Sequence, residues 1–130
     1  MILLDTHVVL WLAFEDGKIS RKARAAIEEA RKSGDGLAIS DISLLEIASL
    51  ERKNRITLRS TLEAFLTEIE NRFVVFPISA RVCVRAMRFP AGYPNDPADR
   101  VIGATALVNG ISLVTADDAI RRSRVVPIIW

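Results

Sequence analysis

Asp5, Glu46, Asp99 and Asp117 are the residues of this 130-residue chain whose type and setting point to chemistry. Asp5 cuts off the apolar burst Ile2-Leu3-Leu4, and Asp117 follows Leu113-Val114-Thr115-Ala116. Glu46 interrupts a run that is otherwise almost wholly apolar over Ile42, Leu44, Leu45, Ile47, Ala48 and Leu50, and Asp99 comes just after the helix-opening pair Asp96-Pro97. Gathered in one place, such carboxylates repel. A pair about 4 Å apart costs roughly 1 kcal/mol in water and about 4 kcal/mol at the effective dielectric near a protein surface, so the cluster is not built for stability. A divalent ion resolves the conflict. An all-oxygen set favours Mg²⁺ or Mn²⁺ over zinc, which takes histidine or cysteine, and the chain has only His7 and Cys83 of those types.

Each acid also has an ordinary structural role open to it. Asp5 can cap a first helix, Ser43 and Glu46 can form a capping box, Asp96 and Asp99 can be an acidic pair at a helix start, and Asp117 can be a turn residue. Two features move the weight toward chemistry. Ile42 and Leu50 lie one turn before and after Glu46, so its carboxylate shares an apolar stripe and is costly to bury without a cation. Asp99 shares its face with Gly103, Ala106 and Gly110, small residues that let the helix come close to a sheet. Both side chains are expected to point inward.

The elements that must position these acids follow from the apolar pattern. Short apolar strands are predicted over 2–4, 37–39, 73–76, 111–115 and 125–130, separated by helices over 8 to about 17, 21–33, 42–53, 58–71, 79–88 and 96–109, with a short helix or turn over 117–122. Ser20 caps the second helix, Gly110 stops the long late one, and Phe89-Pro90-Ala91-Gly92-Tyr93-Pro94-Asn95 is a loop. Apolar strands alternating with helices are the pattern of a parallel sheet covered on both faces. The expected fold is α/β, a three-layer α/β/α sandwich with a central parallel sheet of four to five strands, formed by one domain over residues 1–130. In such sheets the working site lies at the carboxyl ends of the strands, where strand order reverses. All four acids map to that edge.

Bulk properties narrow the function classes. Half the residues are hydrophobic, enough for a core without disulfide or metal staples, and the net charge of +2 suits a polyanionic partner without demonstrating one. Cys83, the only cysteine, excludes an internal disulfide and reads as a packed small hydrophobe in a helix. No segment approaches the roughly 20 apolar residues of a membrane span, and the opening apolar run lacks a basic leader, so a soluble, cytoplasmic protein with no membrane association is expected.

Leu4-Asp5-Thr6-His7-Val8-Val9-Leu10-Trp11-Leu12, Asp96-Pro97-Ala98-Asp99-Arg100-Val101-Ile102-Gly103-Ala104-Thr105-Ala106 and Leu113-Val114-Thr115-Ala116-Asp117, with Ser40 through Glu46 as a weaker middle motif, resemble the PIN-domain ribonucleases, and among them the VapC toxins of toxin–antitoxin pairs. The likeness covers the whole chain. Val101 and Gly103 stand where leucine and alanine are more usual in that family. Carried over by position, the metal-site acids of the family fall on Asp5, Glu46, Asp99 and Asp117, and its nearby hydroxyls on Thr6 and Thr115. Asp96 and Asp118 rank as cap and flank.

The resemblance implies an Mg²⁺-dependent (or Mn²⁺-dependent) endoribonuclease that hydrolyses RNA phosphodiesters, with Asp5 and Asp99 as direct ligands. Glu46 would complete the shell or orient the attacking water, and Asp117 would ligate directly or through water. RNA would be held by Arg81, Arg85 and Arg88, spaced one turn apart, or by Arg121, Arg122 and Arg124; a solvated arginine face is the plain alternative for either set. The resemblance also implies a homodimer and a cognate VapB-type antitoxin whose peptide packs in a groove, with Trp11, Leu12 and Phe14, or apolar residues between Leu58 and Ile69, as contact surfaces. His7 reads as a packing or helix-start residue rather than a general base.

Rival readings fit less well. A response-regulator phosphotransfer domain wants a lysine beyond the later strands, and every lysine lies at or before Lys53. A haloacid-dehalogenase phosphatase wants an aspartate two residues after the first, where His7 stands. A non-catalytic RNA-binding or scaffold protein of PIN-like fold would be expected to lack some of the acids, and all four are present.

Overall fold

The computed structural model describes residues 1–130. The elements run β1 (Ile2–Leu4), α1 (Thr6–Phe14), a 3-10 turn (Asp16–Lys18), α2 (Arg21–Ser33), β2 (Leu37–Ser40), α3 (Ile42–Arg52), α4 (Leu62–Arg72), β3 (Val74–Phe76), α5 (Ala80–Met87), α6 (Pro97–Asn109), β4 (Leu113–Val114), α7 (Asp118–Ser123) and β5 (Ile128–Ile129). The strands form one five-stranded sheet in the order β3-β2-β1-β4-β5, every pair parallel. This is the expected three-layer α/β/α sandwich at the upper end of its strand number.

Strand alternation divides the core into two halves. Leu4, Leu37, Ile39 and Val114 point to the layer of α1, α2 and α4, where they pack with Val8, Ile27 and Ile69. Leu3, Ala38 and Leu113 point the other way, to Val82 and Ala86 of α5, Ile102 and Ala106 of α6 and Ile120 of α7. Central strands buried on both faces need apolar residues at every position, which is why β1 reads as a run and not as an alternation. Local signals set the helix starts: the side chains of Asp5, Ser20, Thr61, Ser79, Asp96 and Asp117 each accept a backbone N–H of the helix they precede.

Several expectations are corrected. The fourth helix begins at Leu62, not near Leu58, because the Thr61 hydroxyl accepts from Ala64 N and fixes the start there. The helix carrying Glu46 is not packed on most sides: only Ser43 and Ile47 are buried, and Leu45, on the opposite face, is 66% exposed. Its neighbours reach a single stripe. Ser43 and Glu46 form no capping box, since α3 starts at Ile42 with Ser40 Oγ accepting the Ile42 N–H. Cys83 is exposed and not packed, because Val82 and Ala86 form the buried stripe of α5. Gly103 serves close approach to Tyr93 and Phe89 of the preceding loop, and Gly110 is a left-handed helix stop with φ +64° and open space around it.

Candidate active site

Strand order reverses between β1 and β4: the chain moves from β1 outward to β2 and β3, then crosses back to β4 and β5 on the other side. The crevice at the carboxyl ends of these two strands is where a doubly wound sheet holds its ligand. Asp5 follows β1 directly, Asp117 follows β4 by three residues, Glu46 lies in the second turn of α3 after β2, and Asp99 is in the first turn of α6. The four acids therefore arrive from four different elements.

Asp5 is buried and held by both its oxygens. Oδ1 accepts the Thr6 N–H at 2.8 Å as the cap of α1, and Oδ2 accepts the Thr115 hydroxyl at 2.7 Å. The same Thr115 oxygen accepts the Asp117 N–H at 3.1 Å, while Asp117 Oδ1 caps α7 by accepting from Ile120 N. Backbone completes the seam, with Asp5 N donating to the Val114 carbonyl at 3.0 Å. Asp5 and Asp117 are thus caps as well as site residues; the two roles use different features of the carboxylates.

Thr6, also buried, reaches to α3. Its hydroxyl donates to Glu46 Oε1 at 2.5 Å and lies 2.9 Å from Ser43 Oγ. Thr6 has one hydroxyl proton, so Ser43 donates to Thr6 while Thr6 donates to Glu46. Burial pushes the Glu46 carboxyl above its usual range, the Thr6 hydrogen bond pulls against that, and the charges of Asp5 and Asp96 add to the rise.

Asp99 is pushed up to about 7, first by burial and then by the negative charges of Asp5, Asp96, Asp117 and Glu46, with no cation or hydrogen-bond donor to offset them. Its backbone is anchored: the Tyr93 hydroxyl donates to the Asp99 carbonyl at 2.8 Å, and the Tyr93 ring stacks on Phe89 with centroids 4.2 Å apart. Burial and the nearby Asp99 charge also push the Tyr93 hydroxyl up, so it stays a donor at neutral pH.

The four predicted acids thus act on one another electrostatically, and Asp96, exposed and capping α6, adds its field to theirs. Asp118 is exposed and paired with Arg121 at 3.2 Å. No three His, Cys, Asp or Glu side chains converge closely enough to hold a metal ion; Asp5, Glu46 and Asp117 are each drawn to donors of their own. The donor chemistry nevertheless fits a hard divalent cation, because the uncompensated repulsion concentrated on Asp99 is what such a charge would relieve. Arg81, Arg85, Arg88, Arg122 and Arg124 are exposed, as is Arg121. Sequence reasoning missed the part Ser43 plays with Thr6, for which its i, i+3 spacing to Glu46 was the available signal, and the anchoring role of Tyr93, signalled only by a second aromatic four residues after Phe89.

Known proteins are similar to this chain in sequence and in fold. The PIN domain family matches residues 2–125. Ribonuclease VapC22 of Mycobacterium tuberculosis is 37% identical over 123 residues, which cover 95% of this chain and 92% of that protein. Among solved structures, VapBC2 from Rickettsia felis bound to a promoter DNA fragment is similar with a TM-score of 0.72 at 18% identity, covering 98% of this chain and 97% of that one. DNA-bound VapBC from Salmonella typhimurium is similar with a TM-score of 0.70 at 20% identity, with the same coverage of 98% and 97%. With five strands in this order, carboxylates at the switch point and a family match over nearly its whole length, this chain belongs to the PIN-domain family.

Proposed function

We propose that this chain is a divalent-metal-dependent endoribonuclease and the toxin of a VapBC-type toxin–antitoxin pair, with Asp5, Glu46, Asp99 and Asp117 as its site. The observation that carries the reading is Asp99, which burial raises to about 7 at the sheet's switch point, with the charges of Asp5, Asp96, Asp117 and Glu46 adding to the rise. Kinship to a VapC ribonuclease supports RNA as the polymer. Mg²⁺ or Mn²⁺ bound there would supply Lewis-acid activation of the scissile phosphodiester. Asp5 and Asp99 are the direct ligands in this reading, and Asp117 contributes Oδ2, the oxygen not used to cap α7. Glu46, its hydrogen bond to Thr6 fixing one oxygen, holds the attacking water with the other. Water adds to phosphorus and gives up a proton to solvent as the bond to the 3′ oxygen breaks and that oxygen takes up a proton from solvent.

The same reading gives the chain a cognate antitoxin. Leu12 and Phe14 of α1 and Phe65 and Ile69 of α4 line a cleft of about 780 Å³, with Arg31 and Arg72 at its edge. Phe14 stacks on Phe65 at 5.5 Å, so the two surfaces expected from sequence form one groove, which suits an apolar peptide segment. Trp11 turns away from it, toward His7 and Trp130. A homodimer in the cytoplasm completes the proposal; no helix is long and apolar enough to cross a membrane.

The test is cleavage of end-labelled structured RNA with and without Mg²⁺, comparing the native chain with Asp99→Asn. Metal-dependent cutting that disappears in the variant is the expected result. Equal cutting by both would overturn the site assignment, and no cutting by the native chain across ribosomal, transfer and messenger RNA would leave a binding protein with this fold.

A further inference from the structure

We propose that His7 is a positioning residue for this site: held as its Nδ1–H tautomer, it ties the turn after β1 to the turn after β4 and so fixes the spacing of Asp5 and Asp117. The inference rests on the metal-site reading above. His7 is the only histidine in the chain. Its Nε2 accepts the backbone N–H of Ala116 at 3.0 Å. Only a bare ring nitrogen accepts, so the proton of the neutral ring sits on Nδ1, which faces Asp5 Oδ2 at 3.5 Å. The ring cannot swing freely, because it packs edge-on against Trp11 at 4.8 Å, and Trp11 in turn leans on Trp130 at 5.8 Å.

The consequence is a further fastening between the two turns. Thr115 links Asp5 to the Asp117 N–H through its single hydroxyl, and the Asp5 N–H holds the Val114 carbonyl, but none of these bonds reaches Ala116. His7 holds that residue. Asp5 thereby holds Thr115 and His7 holds Ala116, while Thr6 between them reaches to α3. This also removes His7 as a general base, since the Nε2 lone pair that would take a proton from water is already engaged. Groups that orient ligands in this way are usually worth about 10- to 100-fold in metal affinity.

Two measurements test the proposal. Long-range ¹H–¹⁵N NMR of the metal-free chain above neutral pH should show Nδ1 protonated and Nε2 bare, the reverse of the tautomer that dominates in free histidine; an Nε2–H ring overturns the bridge. Mn²⁺ titration then compares the native chain with His7→Asn, too short to reach Ala116, and His7→Gln, whose amide oxygen can stand near the Nε2 position. Affinity about 10- to 100-fold weaker in His7→Asn and largely recovered in His7→Gln is expected. Equal loss in both variants, or none in either, overturns it. Asp99→Asn is the control for the underlying reading: undiminished Mn²⁺ affinity there would sink the metal site, while the tautomer would still decide whether His7 bridges the turns.

Discussion

Asp99 is half-buried among carboxylates of its own sign, and the cost falls on folding. Its carboxyl rises from 3.8 to about 7, so the folded chain binds this proton more tightly than the unfolded chain does. The sign follows: the contribution is fully present below 3.8 and is lost as pH rises toward and through 7. A shift of that size corresponds to roughly 4 kcal/mol unscreened, and solvent reaching the half-buried group reduces it to on the order of 1–2 kcal/mol. Denaturant unfolding of the metal-free protein should therefore show stability falling from pH 4 to pH 8 by about that amount, and Asp99→Asn should flatten the fall; identical pH profiles for the two proteins would refute the charge crowding. Glu46, raised for the same leading reason, leaves a smaller slope of the same sign. Gly103 has a different sensitivity. A Cβ there would run into the Tyr93 hydroxyl and lie 3.3 Å from the Phe89 ring. Since Tyr93 anchors the Asp99 carbonyl, Gly103→Ala should destabilise by about 1–3 kcal/mol and reduce cleavage together, read by thermal unfolding and by the RNA assay. A variant with native stability would mean that the loop yields without strain. Gly103 is thus matched to a tyrosine in the loop before it.

At the scale of elements, α5 carries the clearest division of labour. Val82 and Ala86 are buried, while Arg81, Arg85 and Arg88 are exposed. Phosphate contacts release counterions, so binding of single-stranded RNA by these arginines would give a salt dependence of slope about 0.7 for each contact. Replacing all three with alanine should lower that slope by about 2, measured by fluorescence anisotropy with Asp99→Asn to block cutting; an unchanged slope would leave α5 a solvated face. How much of this could be read in the sequence depends on whether the deciding signal is local. Ser20, Gly110 and Asp96-Pro97 act within one turn of the backbone, and the boundaries of α2 and α6 emerge from sequence as observed. Asp5, Asp99 and Asp117 are legible because each sits near an element end, where a doubly wound sheet puts its chemistry, and Glu46 because it is the one charge inside an apolar run. Burial within a helix is another matter. The apolar residues of α3 cover more of its circumference than its neighbours do, so Leu45 looks like core and is exposed; Cys83 looks like core and lies beside the buried stripe. The hydrogen bond from Ala116 to His7 spans 109 residues, and only the pairing of β1 with β4 brings those turns together.

The whole molecule leaves two apolar surfaces outside its core, and they differ in character. The groove between α1, α2 and α4 is concave and lined in part by Phe14, Phe65 and Phe73, the shape for an inserted segment. The outer face of α5 is convex, with Val84 49% and Met87 71% exposed beside Cys83, and the arginine stripe begins immediately next to them. A convex helix face rimmed by arginines suits a matching helix, and in a homodimer an isologous contact sets the same patch against itself. Such a contact would cover Val84 and Met87 while Arg81, Arg85 and Arg88 remained at the rim, leaving basic charge from both copies open to one polyanion. Because neither Val84 nor Met87 belongs to the core, Val84→Glu with Met87→Glu should leave the melting temperature of the isolated fold nearly unchanged yet place buried like charges across the contact. The expected outcome by light scattering is a dimeric mass for the native chain and a monomeric mass for the double variant. A native chain already monomeric at tens of micromolar, or a double variant still dimeric, would assign the contact to another face and return α5 to the RNA alone.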